Sequence, residues 1–173
     1  MKLFHKIAVS AVTLLAVLCA ASVVNAQAVE GKKTAVRIVI VKSARTLTLE
    51  GGGQPLKTYK VALGGQPVGA KHQQGDHKTP EGEYFVDAKN SRSQFYMALH
   101  LSYPNAADRL QARKLGVSAR GDVEIHGLGK KFGWIGARHR LTDWTDGCVA
   151  VTNEEIEEIF RIVRLGTRVE IRP

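Results

Sequence analysis

Hydrophobic and polar positions alternate along much of the chain at the spacing typical of short β-strands. The first third contains three such runs, at residues 36–41, 46–49 and 57–63, and the first is rich in β-branched residues. Residues 42–45 form a predicted turn between the first two runs, and the glycine-rich residues 51–55 interrupt the pattern before the third. Tight turns of this kind join antiparallel neighbours. The pattern therefore predicts a β-meander over the first third of the domain.

The rest of the chain adds short strands and two helices. Further strands are predicted at residues 84–88, 95–101, 123–126, 148–151 and 168–171. One helix is predicted at residues 106–115, and a second opens with a capping box between Thr152 and Glu155 and stops at Gly166. The predicted buried face of the second helix consists of Ile156, Ile159, Phe160 and Val163. Many short strands and few helices predict a mostly antiparallel β domain, a sandwich or small barrel with accessory helices.

Residues 1–26 have the pattern of a secretory signal peptide. Lys2 and Lys6 precede an uncharged apolar run, and small residues end it at Ala26, where cleavage is expected. The alternative is an uncleaved membrane anchor, although the run is near the lower limit for spanning a bilayer. We therefore expect an exported protein of the periplasm or cell wall, with residues 27–173 forming one domain and no transmembrane segment after cleavage.

Signal cleavage changes both the cysteine count and the charge. Of the two cysteines, Cys19 leaves with the signal, so Cys148 becomes a single thiol that cannot form an intramolecular disulfide. Such a thiol in an oxidising compartment is expected to be either buried or used. Loss of two lysines lowers the formal net charge from +9 to +7. This charge suits an anionic partner such as cell-wall carboxylates, although a solvated basic surface explains it equally well; no nucleic-acid partner is expected for an exported chain.

The candidate chemistry lies in residues 121–153. His126 ends one strand-like run, and Cys148 follows Gly147 and precedes a second β-branched run. A thiol nucleophile and its base are commonly brought together in this way, although a buried core cysteine is the alternative. A papain-like protease fits less well, because there Cys precedes His and begins a helix.

A long loop at residues 64–82 carries several glycines and histidines. His72, Asp76 and His77 suggest a metal site, but no third ligand stands at a recognised spacing. We therefore expect surface histidines, with no metal and no other cofactor. Loops of this length in compact domains are usually functional or disordered.

Three segments resemble the L,D-transpeptidase catalytic domain, a family of exported cysteine enzymes that remodel peptidoglycan. The segments are His126-Gly127, then Thr145-Asp146-Gly147-Cys148 ending 22 positions after the histidine (148 − 126), and Gly75…Thr79-Pro80-Glu81-Gly82-Glu83-Tyr84-Phe85 upstream. The resemblance covers about residues 35–172 and implies a β-sandwich-like fold. Two positions depart from the family pattern: Asp146 replaces the usual His, and Ala150 replaces an Arg that faces the substrate in many members.

The resemblance implies a peptidoglycan L,D-transpeptidase that acts on stem peptides, without a cofactor and as a monomer. Cys148 would form an acyl-enzyme from a stem tetrapeptide and pass it to an amine acceptor. His126 would be the base, the backbone carbonyl of Gly127 would orient its ring, and the backbone amides of Gly147 and Cys148 would face the oxyanion. The candidate substrate-binding residues are Trp144, Asp146, Arg138, Arg140 and Trp134. The alternatives are a hydrolase of the same family, L,D-carboxypeptidase or endopeptidase, or an inactive peptidoglycan-binding domain.

The charged neighbours lead to two further expectations. His139 lies between two arginines, which favours a neutral, exposed imidazole, so His126 is expected to be the base. Asp146 places a carboxylate beside the thiol and should oppose thiolate formation. The reaction should then depend on pairing of Cys148 with protonated His126.

Overall fold

The computed structural model describes residues 35–173, which fold around one curled sheet of eight strands. The strands are β1 (Ala35–Val41), β2 (Thr46–Gly51), β3 (Gln54–Lys60), β4 (Gly82–Ser93), β5 (Tyr96–Leu101), β6 (Glu124–His126), β7 (Val149–Ala150) and β8 (Val163–Arg172). Their order in the sheet is β3-β2-β1-β8-β4-β5-β6-β7. Neighbours are antiparallel except for the β1–β8 and β6–β7 pairs, which are parallel. The predicted mostly β fold is confirmed, whereas the predicted signal peptide lies outside the described residues.

The sheet curls until its two ends meet. Just beyond β3, Ala62 donates to and accepts from the backbone of Ala150 in β7, at 3.0 and 2.9 Å. A second bridge joins Gly64 to Thr145. The curled sheet thus encloses a core to which the strands and the second helix contribute, including Ile38, Leu47, Tyr84, Leu99, Ile125 and Ile156.

Turn geometry explains why some strand boundaries differ from the predicted ones. Within residues 51–55, only Gly52 and Gly53 adopt left-handed backbone angles, with φ of 59° and 77°, so the turn is short and β3 begins at Gln54 rather than at residue 57. β4 extends to Ser93 because it pairs with β8 at its start and β5 along its later part. Pairing with neighbouring strands therefore extends β4 beyond the residues in which hydrophobic and polar positions alternate.

Two α-helices and one 3-10 segment complete the domain. They are α1 (Ala106–Lys114), α2 (Asn153–Ile162) and the 3-10 segment Gly133–Leu141, which is interrupted at Gly136. The predicted capping box of α2 is confirmed, since Thr152 Oγ1 accepts from the Glu155 amide at 3.3 Å while the Glu155 carboxylate accepts from the Thr152 amide at 2.9 Å.

The predicted stop of the second helix at Gly166 is wrong. α2 ends at Ile162, and Val163 already belongs to β8, where it pairs with Ala35 of β1. Gly166 lies inside β8 with a φ of 80°. Pairing with a distant strand therefore ends the helix one turn before the glycine. On its buried face, Ile156 and Ile159 are fully buried, and Phe160 is partly buried.

Candidate active site

Parallel pairing of β6 and β7 places Cys148 and His126 on one face of the sheet. Ile125 lies opposite Val149, and His126 lies opposite Ala150, so Cys148 comes opposite Glu124. Because side chains on a strand alternate between faces, Cys148, Glu124 and His126 point the same way. The predicted pair is therefore brought together by strand register.

The His126 ring is buried and held on three sides. The side chain is 1% exposed, and Nδ1 donates to the carbonyl of Gly127 at 2.6 Å. Phe95 stacks on the ring with centroids 4.2 Å apart, and the edge of Trp144 approaches at 5.9 Å. Burial lowers the pKa of His126 to about 4, so the imidazole is neutral at neutral pH. With Nδ1 carrying the proton, Nε2 has a free lone pair to accept one.

Gly127 is required where the histidine is oriented. A Cβ at this position would lie 2.7 Å from Asn153 Oδ1 and 2.9 Å from the Phe95 carbonyl oxygen. Neither contact is compatible with a side chain at an unchanged backbone. The glycine thus lets the chain pass close to α2 and β5 while its carbonyl oxygen remains available to His126.

The Cys148 thiol is neutral in the resting protein. Sγ accepts from the Glu124 amide at 3.4 Å and lies 3.8 Å from the Asp122 carbonyl oxygen, to which it donates. Within residues 35–173 no hydrogen bond joins the sulfur to the His126 ring, so the attacking rotamer requires a rotation of the thiol toward it. Burial raises the pKa of Cys148 to about 11. Burial thus favours the neutral form of both groups in the resting protein, and the expected dependence of the reaction on pairing with protonated His126 stays a prediction.

Of the two predicted oxyanion donors beside the thiol, one amide is already hydrogen-bonded and the other is available. The Gly147 amide donates to Thr145 Oγ1 at 3.1 Å, and that hydroxyl donates to the Cys148 carbonyl at 2.8 Å. The N–H of Gly147 is therefore occupied in this structure. The Cys148 amide makes no hydrogen bond within the described part of the chain, and it is the donor available to an oxyanion.

A cavity of about 910 Å³ opens beside the thiol. Besides Cys148 and His126, its walls include the predicted residues Trp144 and Asp146. The sequence did not single out its other charged or polar wall residues, which include Lys71, Gln74, Arg92, Asp122 and Glu124. The length of the loop at residues 64–82 was the available signal for Lys71, because loops of this length are usually either functional or disordered.

Three predicted substrate-binding residues do not line this cavity. Arg140 pairs with Glu155 and so supports the capping box of α2. Arg138 lines a neighbouring, mostly apolar cavity of about 510 Å³, and Trp134 is 80% exposed on the 3-10 segment. His139, expected to be exposed, is buried, and its pKa is lowered to about 4 by burial and by the Arg140 charge. The 3-10 segment turns this ring inward, which the loop sequence did not indicate.

A model of the YkuD family, the L,D-transpeptidase catalytic domain, matches residues 35–171. The chain belongs to this family. Among curated proteins, "Putative L,D-transpeptidase YafK" of Escherichia coli (strain K12) is 35% identical over 135 residues, which is 74% of this chain and 47% of the relative. "Putative L,D-transpeptidase YqjB" of Bacillus subtilis (strain 168) is 30% identical over 97 residues, covering 56% and 53%. The chain thus spans about half the length of these curated relatives.

Solved structures show the same fold. A mutant of the helical cell shape determining protein Pgp2 from Campylobacter jejuni is 26% identical, with a TM-score of 0.63, and the match covers 80% of this chain and 47% of that one. Bd1075 of Bdellovibrio bacteriovorus is also 26% identical, with a TM-score of 0.56 and coverage of 80% and 48%. The L,D-transpeptidase fold expected from the sequence is therefore confirmed. In the portion that the structure describes, no helix is long and apolar enough to cross a membrane.

In this family member, Asp146 points to a partner from the long loop. Its Oδ1 lies 2.8 Å from Nδ1 of His77, and the two side chains are 87% and 53% exposed. His77 adopts a left-handed φ of 53°, uncommon for a residue with a side chain. An imidazole is thus present near the position where most family members have a histidine, although another loop supplies it.

We expect Asp146→Asn to speed alkylation of Cys148 by iodoacetamide by no more than about fivefold, because an exposed charge acts through water. Burial is the main cause of the raised pKa of Cys148, and Asp146 adds a minor increase. Removing the carboxylate lowers that pKa, so the rate rises at every pH well below about 11. The pH profile of alkylation measures the effect. His77→Gln is the control, since it breaks the same contact but keeps the negative charge; equal acceleration by both variants would contradict the electrostatic explanation.

Proposed function

We propose that this chain is a peptidoglycan L,D-transpeptidase in which Cys148 attacks a stem tetrapeptide and an amine accepts the acyl group. One observation carries the proposal: a thiol and an oriented, neutral imidazole share one face of β6 and β7 and open into one cavity. Membership of the L,D-transpeptidase family supports an enzyme with this chemistry.

The first half of the proposed reaction forms a thioester. Sγ of Cys148 rotates toward His126, whose Nε2 takes the thiol proton as sulfur attacks the carbonyl carbon before the terminal D-alanine. The oxyanion of the tetrahedral intermediate accepts from the Cys148 amide. His126 then returns the proton to the departing amine, the carbon–nitrogen bond breaks, and D-alanine leaves.

The second half transfers the acyl group. An acceptor amine enters the same cavity and attacks the thioester carbonyl, and His126 takes a proton from it. Collapse of the second intermediate breaks the carbon–sulfur bond, and His126 gives its proton to the departing sulfur, which restores the thiol. Since burial keeps His126 neutral between the steps, the same ring serves as base and acid without a carboxylate partner, its Nδ1 being held by Gly127.

We further propose that the protein is exported through a signal peptide at residues 1–26 and acts in the periplasm or cell wall as a monomer. The similarity to Pgp2, a helical cell shape determining protein, supports a role in wall remodelling. The basic composition, with a formal net charge of +9 over the full sequence, supports binding to an anionic polymer.

Purified residues 27–173 should remove the terminal D-alanine from tetrapeptide muropeptides and attach an added amine acceptor, with products identified by mass spectrometry. The control is Cys148→Ala, which should leave the substrate intact. Tripeptides as the sole product, even with excess acceptor, would identify a hydrolase instead. Binding of muropeptides without turnover would identify a peptidoglycan-binding domain.

A further inference from the structure

Two lysines of the described chain are buried to the same degree, but they contact different parts of the fold. Lys42 and Lys71 are each 3% exposed, and each ammonium lies 2.8 Å from a carboxylate oxygen, of Glu81 and Asp76 respectively. Buried ammonium groups are costly unless paired in this way. Lys42 also donates to backbone carbonyls within the long loop, whereas only Lys71 lines the cavity that contains the thiol.

The second contact of Lys71 is with the backbone that leads to the nucleophile. Nζ donates to the Asp146 carbonyl at 3.3 Å, and a Cβ at Gly147 would lie 3.3 Å from Nζ. The same Cβ would lie 2.5 Å from the Lys78 carbonyl oxygen, and Gly147 has a left-handed φ of 129°. The long loop therefore packs directly against residues 146–147, with the ammonium as one of the contacts.

Asp76 holds the ammonium in place. Its carboxylate accepts from Lys71 at 2.8 Å and from the backbone amides of His72, Gln73 and Lys78 at 2.8 to 3.1 Å. Burial opposes the ionised carboxylate, but these hydrogen bonds lower the pKa of Asp76 to about 2. The Asp76 carboxylate is thus ionised at neutral pH and fixed relative to the loop backbone.

Lys71 is also a cation placed to act on the sulfur. Burial raises the pKa of Cys148, and the Glu124 amide and the Lys71 charge act against it. The two arginines expected to supply a charge lie elsewhere, since Arg138 lines the neighbouring cavity and Arg140 pairs with Glu155. Ala150, where many family members have an arginine, is fully buried.

We propose that Lys71 is a positioning residue for acyl transfer, which fixes the Asp146–Gly147 backbone and supplies the cation missing at Ala150. The proposal rests on the proposed function and adds a residue from the long loop to it. With the Asp146 carbonyl held by the ammonium, the peptide planes that follow are set, and the Cys148 amide is kept facing the acyl carbonyl. The positive charge then stabilises negative charge as it develops on sulfur and on the oxyanion.

Two matched double variants test this role. Lys71→Met with Asp76→Asn and Lys42→Met with Glu81→Gln each remove a buried ion pair without leaving one charge alone. We expect the Lys71 double variant to slow the covalent reaction of Cys148 with a carbapenem by about 10- to 100-fold, because an electrostatic contribution to the transition state is lost. It should also move the pH profile of iodoacetamide alkylation to higher pH. The second should change capture less than about threefold per folded protein, since that pair lies outside the cavity.

A third variant keeps the Lys71 ammonium, and its expected effect on the alkylation rate of Cys148 is opposite in sign. Asp76→Asn removes the counter-charge of Lys71, so alkylation of Cys148 should become faster at a given pH. The proposal is overturned if the Lys71 double variant captures carbapenem and alkylates as the wild type does, if the Lys42 double variant slows capture equally, or if Asp76→Asn does not accelerate alkylation. Alkylation needs no peptidoglycan substrate, so it reports on Lys71 even if muropeptide turnover is absent.

Discussion

We expect wild-type protein of residues 27–173 to gain the mass of one carbapenem molecule per chain, and Cys148→Ala to gain none. Carbapenems mimic the acyl donor of this family, so sulfur should open the lactam and keep the acyl group as a thioester. Cys148 is the single cysteine of that segment, and it lines the cavity beside His126. Loss of the nucleophile removes the covalent route altogether rather than slowing it.

Intact mass spectrometry after incubation with excess carbapenem measures this directly. Thermal unfolding of Cys148→Ala should match that of the wild type closely, because the sulfur makes only long contacts, at 3.4 and 3.8 Å. An adduct that persists in a folded Cys148→Ala would assign the nucleophile to another residue.

His126→Ala should slow carbapenem acylation by about 10² to 10⁴, the usual contribution of a general base. The neutral resting thiol makes the base essential, because burial raises the pKa of Cys148 to about 11 and little thiolate exists at neutral pH. His139→Ala should have a much smaller effect on the rate. Both ring nitrogens of His139 are buried without a hydrogen-bond partner in the described residues, so its replacement acts mainly on stability.

The pH dependence separates the two histidines further. Acylation by the wild type should fall as pH decreases through about 4, because protonation of His126 removes the base. In His126→Ala this decrease in rate at low pH should disappear, and the remaining rate should rise with pH as thiolate forms. Stopped-flow acylation across pH provides both profiles. Greater damage by His139→Ala, measured per folded protein, would reverse the assignment.

The strands that carry the site could be predicted because their signal is local. Alternation located β5 and β6, and the capping box located α2 with Thr152 at its start. The hypothesis that Cys148 and His126 are nucleophile and base followed from residue type and order. The two side chains lie on the same face because β6 and β7 pair in parallel with a particular register, and this register cannot be predicted from either segment alone.

Some features could not be predicted because they depend on contacts with a distant part of the chain. Gly166 resembles a helix stop, but pairing of Val163 with Ala35 ends the helix first. A lysine in a glycine-rich loop belongs to no periodic pattern of hydrophobic and polar residues, so the sequence does not predict its burial. The packing of two loops shows that Lys71 is buried beside the site.

The two-residue strand β7 lies between neighbours that are remote in sequence. It pairs with β6 on one side, and Ala150 bridges to Ala62 on the other, 88 residues earlier (150 − 62). So short a strand cannot persist alone, and contacts across such separations form slowly. The thiol therefore reaches its place only after the beginning and the later part of the domain have met. An incompletely folded chain contains Cys148 but not the assembled site, so we expect activity only after folding is complete.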